Sequence, residues 1–223
     1  MSQPKLAIFD LDYTLTRKGT WGRFTWQMIK KRIYFLPFLL ISAGLAQAIY
    51  KLKLIKRVRV KQVMMFWCMW GRSKAVMIAE AKAFAEAEVP DKLRPVGMEV
   101  LKDHQSNGDD VIIVSAAVDI IVKAISDRLG VKHFLATDMS WTADQKLRLS
   151  FASANCYGSE KVSRFESFLS QHPEFEGMDM IMYSDSHSDL PLMQYCNESV
   201  AVNPNKKLRH IAENSNIPVV DWG

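Results

Sequence analysis

Leu6-Ala7-Ile8-Phe9-Asp10-Leu11-Asp12-Tyr13-Thr14-Leu15-Thr16 is the stretch on which the reading of the fold turns. Four apolar residues followed at once by two carboxylates, two positions apart, predict a short buried strand with acids at its carboxyl end. Parallel α/β sheets place their ligand sites at such ends. Acids this close repel and shift each other's pKa unless a cation lies between them. Val111–Val114, Met180–Tyr183 and Val200–Val202 are apolar runs of the same kind, as expected for strands buried on both faces. Val118–Leu129 and Lys161–Leu169 carry apolar residues at helical spacing, and Gly130 closes the first of them. Strand and helix in alternation predict an α/β fold, a Rossmann-like parallel sheet with helices on both faces. Asp138–Ala152 breaks the rhythm with a turn at Trp141–Asp144, which predicts a small β-hairpin flap.

Residues 20–95 show no strand-like alternation and are rich in Ala, Lys, Met, Leu and Trp. They predict a helical insert. Within it, Ser73–Ala87 aligns Val76, Ala79, Ala83 and Ala87 on one face, and Pro90 and Pro95 bracket the return. The expected organisation is therefore a core of residues 1–19 and 96–223 with a helical cap of residues 20–95. The chain has 223 residues, 48% hydrophobic and 24% charged, a composition that excludes a disordered chain. Three widely spaced cysteines, Cys68, Cys156 and Cys196, exclude a disulfide framework and a CxxC zinc site. Met1–Lys5 lead directly into the apolar run without the pattern of a secretory leader, so the expected location is cytoplasmic, on the inner face of a membrane if it meets one.

The net charge of +5 conceals an asymmetry. Residues 1–75 hold 15 Lys and Arg against two acids, and between Arg17 and Lys61 stand 12 basic residues and no acid. Solvated faces normally mix signs, so this block points to an anionic partner, either nucleic acid or lipid headgroups. Nucleic acid is disfavoured, because 18 apolar residues interrupt the block and no groove-reading motif is present. Those residues, Ile33–Tyr50, carry no charge. At about 1.5 Å per residue a helix of this length approaches the ~30 Å hydrocarbon core of a bilayer. Cations at both ends argue against a single crossing, as does the need for Asp10 and Asp12 to join the remaining strands. Pro37 and Gly44 predict a broken helical hairpin dipping into one leaflet, with residues 30–61 facing an anionic membrane surface. A helix pair buried against the core or in a dimer is the alternative, and the oligomeric state is left open.

The later strands end in matching chemistry. Val111–Val114 runs into Ser115-Ala116, a hydroxyl and a small residue whose backbone N–H groups are open to an anion. Met180–Tyr183 runs into Ser184-Asp185-Ser186-His187-Ser188-Asp189, and Lys161 lies in the first turn of a helix. Four acids, one hydroxyl and one lysine thus converge on one edge of the sheet. Four carboxylates together call for a metal, and oxygen-only ligands suggest Mg²⁺.

Taken in order, Asp10-x-Asp12-x-Thr14, Ser115, Lys161 and Asp185-x3-Asp189 resemble the haloacid dehalogenase superfamily of phosphohydrolases, subfamily IB, which is phosphoserine-phosphatase-like. The insert at 20–95 sits where that family places its helical cap. The resemblance implies a phosphomonoester substrate and an aspartyl-phosphate on Asp10. It implies Asp12 as the acid and base, and Thr14, Ser115 and the Ala116 N–H as the phosphate-binding groups. Lys161 would neutralise charge, and Mg²⁺ would be held at Asp10, the Asp12 carbonyl, Asp185 and Asp189. Phosphoserine phosphatases carry a glutamate shortly after the first motif to meet the substrate amine; here Arg17-Lys18-Gly19-Thr20-Trp21 offers no acid. That departure argues against phosphoserine and, less firmly, against histidinol-phosphate. Within the subfamily, Phe66–Ser73, Gly158-x-Glu160-Lys161-Val162 and Tyr183–Ser186 are similar to phosphatidylglycerophosphatase C, which implies a lipid phosphate such as phosphatidylglycerophosphate. A phosphatase of a small soluble metabolite is the alternative of the same chemistry. A protein that binds anionic surfaces or nucleic acid through residues 17–61 is the alternative of another class.

Overall fold

A computed structural model describes residues 3–223; Met1 and Ser2, with which the expected core segment and the leader reading begin, lie outside the described residues. The chain opens with β1 (Leu6–Phe9), all four side chains buried, and four helices follow: α1 (Thr20–Lys30), α2 (Leu36–Lys51), α3 (Arg57–Met69) and α4 (Lys74–Lys92). After α5 (Pro95–Ser106) come β2 (Asp110–Val118), α6 (Asp119–Arg128), β3 (His133–Thr137), β4 (Met139–Trp141), β5 (Leu147–Phe151) and α7 (Ser159–Gln171). The chain ends with β6 (Met180–Ser184), α8 (Leu190–Tyr195), β7 (Glu198–Val202), α9 (Lys206–Asn214) and β8 (Val219–Val220).

Six strands form one parallel sheet in the order β3-β2-β1-β6-β7-β8, and β4 and β5 pair antiparallel as the expected hairpin. β1 lies in the interior of the sheet, with Phe9 opposite Ile113 of β2 on one side and Tyr183 of β6 on the other. Its two-residue periodicity divides the core. Ala7 and Phe9 join a cluster with Ile113, Ile121 and Tyr183, whereas Leu6 and Ile8 face Phe165, Leu192 and Leu208 across the sheet. The first cluster continues without a break into Phe24, Met28, Met65, Cys68, Met77 and Phe84 of the helical insert, so the insert shares the core of one sheet face. Gly97 lets Trp222 close this face beneath β1: a Cβ there would lie 2.8 Å from the indole ring, which sits beside Phe9 and Tyr183.

Four local expectations are corrected. First, β2 does not stop at Val114 but runs to Val118, with its register against β3 shifting between those residues. Second, Pro37 and Gly44 do not break the apolar segment. Pro37 stands in the first turn of α2, where its missing N–H costs no hydrogen bond, and Gly44 continues the helix with open space around it. The chain reverses later, after Leu52, with Lys53 at φ 60, and α3 returns alongside α2. Third, Pro90 is held inside the last turns of α4 rather than after it. Ser73 caps that helix, its Oγ accepting from the Val76 N–H at 3.4 Å. Fourth, the face formed by Val76, Ala79, Ala83 and Ala87 is exposed, and Met77, Ala81, Phe84 and Ala85 are the residues that turn inward.

Candidate active site

Past Phe9 the backbone of Asp10 still follows the sheet, donating to the Tyr183 carbonyl at 3.0 Å. The chain then coils tightly through Leu11–Leu15, with Asp12 extended (φ −73, ψ 122) and Tyr13 in the left-handed region (φ 68). A left-handed non-glycine residue costs of order 1–3 kcal/mol. Thr16 Oγ1 accepts from the Tyr13 N–H at 3.3 Å and donates to the Leu11 carbonyl at 3.1 Å, which holds the turn. The strained turn brings Asp12 and Tyr13 to the wall of the cavity that Asp10 floors.

Three carboxylates and one lysine form that floor. Lys161, 1% exposed, donates to Asp10 Oδ1 at 2.7 Å and to Asp189 Oδ2 at 2.8 Å. It reaches this position because Gly158, at φ 63, turns the chain into α7, a backbone angle that glycine adopts without a Cβ penalty. Asp189 Oδ2 also accepts from Ser184 Oγ at 2.7 Å, and Ser184 Oγ in turn accepts from the Ser186 N–H. Thr14 donates to Asp10 Oδ2 at 3.2 Å and accepts from the Asp185 N–H at 3.0 Å, with Asp185 Oδ1 3.5 Å away. One hydroxyl therefore fixes the spacing of the Asp10 and Asp185 carboxylates. Two of the expected site residues are held by other protein groups. Thr14 is fully buried and lies behind Asp10 rather than on the cavity wall, so it braces the carboxylates instead of facing a phosphate. Asp189 Oδ2 is engaged by Lys161 and Ser184, while the residue still lines the cavity.

The remaining groups sit where β2 shifts register. Ser115 and Ala116 both line the cavity, and Ser115 Oγ accepts from the Ala117 N–H at 3.1 Å. The Ala116 carbonyl, an oxygen that would repel an anion, accepts from Lys61 Nζ at 2.7 Å and from Thr137 Oγ1 at 3.1 Å. Lys61 also donates to Asn155 Oδ1 at 2.7 Å. This lysine belongs to α3 of the insert and was counted in the sequence only as one cation of the basic block. The signal was present, because Lys61 falls in register with the buried Met65, Cys68 and Met69, a charge in the apolar stripe of a helix. Trp21, Gln47, Tyr50, Val60 and Met64, all from the insert, complete a cavity of about 560 Å³; periodicity alone did not mark them.

Electrostatically the cavity is short of positive charge. Burial pushes the Asp10 carboxyl up to about 8, against the pull of Lys161 and with the repulsion of Asp189 and Asp185 added. Burial and Asp189 push Asp185 up to about 6, opposed by Lys161. Asp12 is raised by burial and lowered by the Thr20 N–H, which donates to its Oδ1 at 2.8 Å, and by Lys61 and Arg23. Four carboxylates against two lysines leave room for a cation. The donors are hard oxygens, the preference of Mg²⁺ or Ca²⁺. Among the described residues no three His, Cys, Asp or Glu side chains gather around one point, so Asp10 and Asp185 would be the side-chain ligands, with the rest of the shell from backbone, water and substrate.

Residues 7–194 match the family model described as haloacid dehalogenase-like hydrolase. Among curated proteins the chain is similar to a histidinol-phosphatase of Neisseria meningitidis serogroup C (strain 8013), 25% identical over 140 residues that cover 62% of this chain and 63% of that one. Among solved structures it is similar to a protein of unknown function from Bordetella pertussis Tohama I, with TM-score 0.86, 22% identity and full coverage of both chains. It is also similar to a phosphoserine phosphatase solved in a substrate-bound complex, with TM-score 0.64, 16% identity and coverage of 98% and 94%. At these identities the likeness to solved structures is one of fold.

Proposed function

The chain belongs to the haloacid dehalogenase-like hydrolase family, and on that premise we propose that it is a Mg²⁺-dependent phosphatase of phosphomonoesters that works through a phosphoryl group carried on Asp10. The observation that carries this reading is the buried contact of Lys161 with Asp10 and Asp189 on the cavity floor, beside Ser115. The lysine opposes the burial that raises the Asp10 carboxyl, and a bound cation would add the further positive charge that keeps it an anion. Asp10 attacks phosphorus, the P–O bond to the alcohol breaks, and Asp12 supplies the proton the leaving oxygen needs. Its raised pKa suits an acid, and the Thr20 N–H fixes its tilt. Asp12, now a base, takes a proton from water as that water attacks phosphorus, which frees phosphate and restores Asp10. Ser115 and the Ala116 N–H hold the phosphoryl oxygens. Asp10, Asp185 and the Asp12 carbonyl would hold Mg²⁺, which when bound supplies neutralisation of phosphoryl charge.

The alcohol is the less determined part of the substrate. Apart from the four aspartates, the cavity wall carries no carboxylate. Burial raises the Glu88 carboxyl of α4, with nearby Asp12 adding to the rise, but Glu88 pairs with Arg23 at 2.5 Å and stays outside the lining. An ammonium group would meet no dedicated counter-ion, whereas Trp21, Tyr50, Val60 and Met64 offer apolar surface. We read the substrate as a lipid phosphomonoester such as phosphatidylglycerophosphate, met at the cytoplasmic face of a membrane. The test is phosphate release with and without Mg²⁺ from that lipid in detergent micelles, from histidinol-phosphate and from phosphoserine. The expected result is Mg²⁺-dependent release, fastest on the lipid, with Asp10→Asn slower by at least about 10³-fold. Equal rates for wild type and Asp10→Asn on every ester would overturn the hydrolytic reading; preference for a soluble ester would overturn the lipid one.

A further inference from the structure

α2 is apolar on two sides, and only one of them is covered. Leu36, Leu39, Ala43 and Ala46 face inward, Leu39 and Ala46 fully buried and the other two packed on the core cluster. Trp67 of α3 donates to Ser42 at 2.8 Å, and Phe38 stacks on the Trp67 ring. On the other side Phe38, Ile41 and Leu45, preceded by Tyr34 in the turn before the helix, form a second stripe that is 55–73% exposed, Phe38 resting only one face on Trp67. A surface helix needs a single apolar stripe, and one that is apolar all round belongs inside a protein or in lipid. Only 11% of the apolar stretch Ile33–Lys51 is buried, so it is not a core helix. The outer stripe continues past the end of α2 into Leu52 and Leu54, 69% and 72% exposed.

The surrounding charge selects the occupant. Lys30 lies before the stripe, and Lys51, Lys53, Lys56 and Arg59 lie after it, all exposed, in a segment with no acid between Arg17 and Lys61. A second copy of the chain seated on this face would bring like charges together without an acid to meet them, a repulsive arrangement. An anionic bilayer matches both features, apolar depth for the stripe and negative headgroups for the rim. A full crossing is ruled out, because the inner stripe is packed on the core and the chain returns through α3 to the same cavity, whose wall includes Gln47 and Tyr50 of α2 and Lys61 of α3. We propose that the outer face of α2 is an in-plane docking surface for anionic membranes, which seats the cavity beside the lipid headgroups. The docking deepens the lipid-substrate reading above but is measured without reference to hydrolysis.

The experiment is co-sedimentation of the full chain with vesicles of phosphatidylcholine alone, and of equal parts phosphatidylcholine and phosphatidylglycerol, at low and high salt. Binding is expected to the mixed vesicles only and to weaken with salt. Neutralising Lys51, Lys53 or Lys56 with Gln should weaken it about fivefold per residue, and Ile41→Asp with Leu45→Asp should abolish it. Asp10→Asn should bind like wild type, and a wild-type chain that sediments with the mixed vesicles yet releases no phosphate from any ester would count against the hydrolytic reading and leave docking standing. Equal sedimentation with neutral and anionic vesicles, or none with either, would overturn the proposal. A dimer in analytical ultracentrifugation that Leu45→Asp converts to monomer would overturn it as well, by assigning the face to a second copy.

Discussion

On the floor of the cavity Asp10 and Asp189 share Lys161 in near-complete burial, whereas α2, which helps to roof it, leaves a row of large apolar side chains in the open. The floor holds charge where water is excluded, and Asp10 and Asp189 stand there because each has donors within 3.2 Å. The roof holds apolar surface where water is present, and no described residue covers it. A structure tolerates the first arrangement for chemistry and the second for contact with something else. The largest effect should therefore follow from breaking the floor. Lys161→Met leaves the carboxylates without their shared cation. Loss of one partner from a buried ion pair typically costs about 3–5 kcal/mol, and turnover should fall by at least about 10³-fold. Urea denaturation and phosphate release together would check both; a variant as stable as wild type would mean that the floor is solvated more than its burial implies.

The two sides of α2 make the next contrast. Leu39→Ala deletes buried carbon from the inner stripe and should cost about 2–5 kcal/mol, as large-to-small changes in packed cores do. The loss should appear as a lower midpoint in urea, because Leu39 belongs to the cluster that runs from the insert into the sheet. An unchanged midpoint would show that α2 unfolds from the core separately, which would weaken the case for a fixed orientation of the docking face.

Lys61 is where floor and roof meet. It spans from α3 to the Ala116 carbonyl and Asn155, so it ties the insert to the bend of β2 at Ser115 and Ala116, the proposed phosphate site. Lys61→Met should raise KM by about tenfold, near 1.4 kcal/mol, with kcat reduced less, and Lys61→Arg should recover part of the loss. A fall in kcat alone would instead make Lys61 a participant in the chemical step. Urea midpoints of both variants would separate this from general loosening.

These contrasts also explain what was legible in the sequence. The strand β1, the order of the acids, Ser115 and Lys161 could be read because short apolar runs followed at once by polar residues have few structural alternatives. β3 and β8 were not anticipated. His133–Thr137 mixes polar and apolar residues because its burial is partial, and Val219–Val220 is only two residues long. The role of Thr14 depends on Asp185, 171 positions away, and no local pattern reports such a contact. Lys61 was visible only as charge, because its meaning depends on which face of α3 turns inward. The break in the apolar segment was expected from Pro37 and Gly44, yet proline at a helix start is compatible with continuation, Gly44 continues the helix, and the reversal fell where the apolar run gives way to lysines.

The smallest effect sharpens the same comparison from the opposite side. Ile41 is 73% exposed on the outer stripe of α2, and its side chain gains little from folding because it stays in water. Ile41→Asp should shift stability by no more than about 0.5 kcal/mol, the usual range for surface substitutions, with a urea transition that overlays that of wild type. Leu39→Ala, two residues away on the same helix, should cost several times more. Should Ile41→Asp destabilise the isolated chain as much as Leu39→Ala, the outer stripe would be part of the monomer's own core and would need no external occupant. If it leaves the fold intact, the apolar stripe contributes nothing to folding, and any loss of vesicle binding in that variant reports contact with lipid alone.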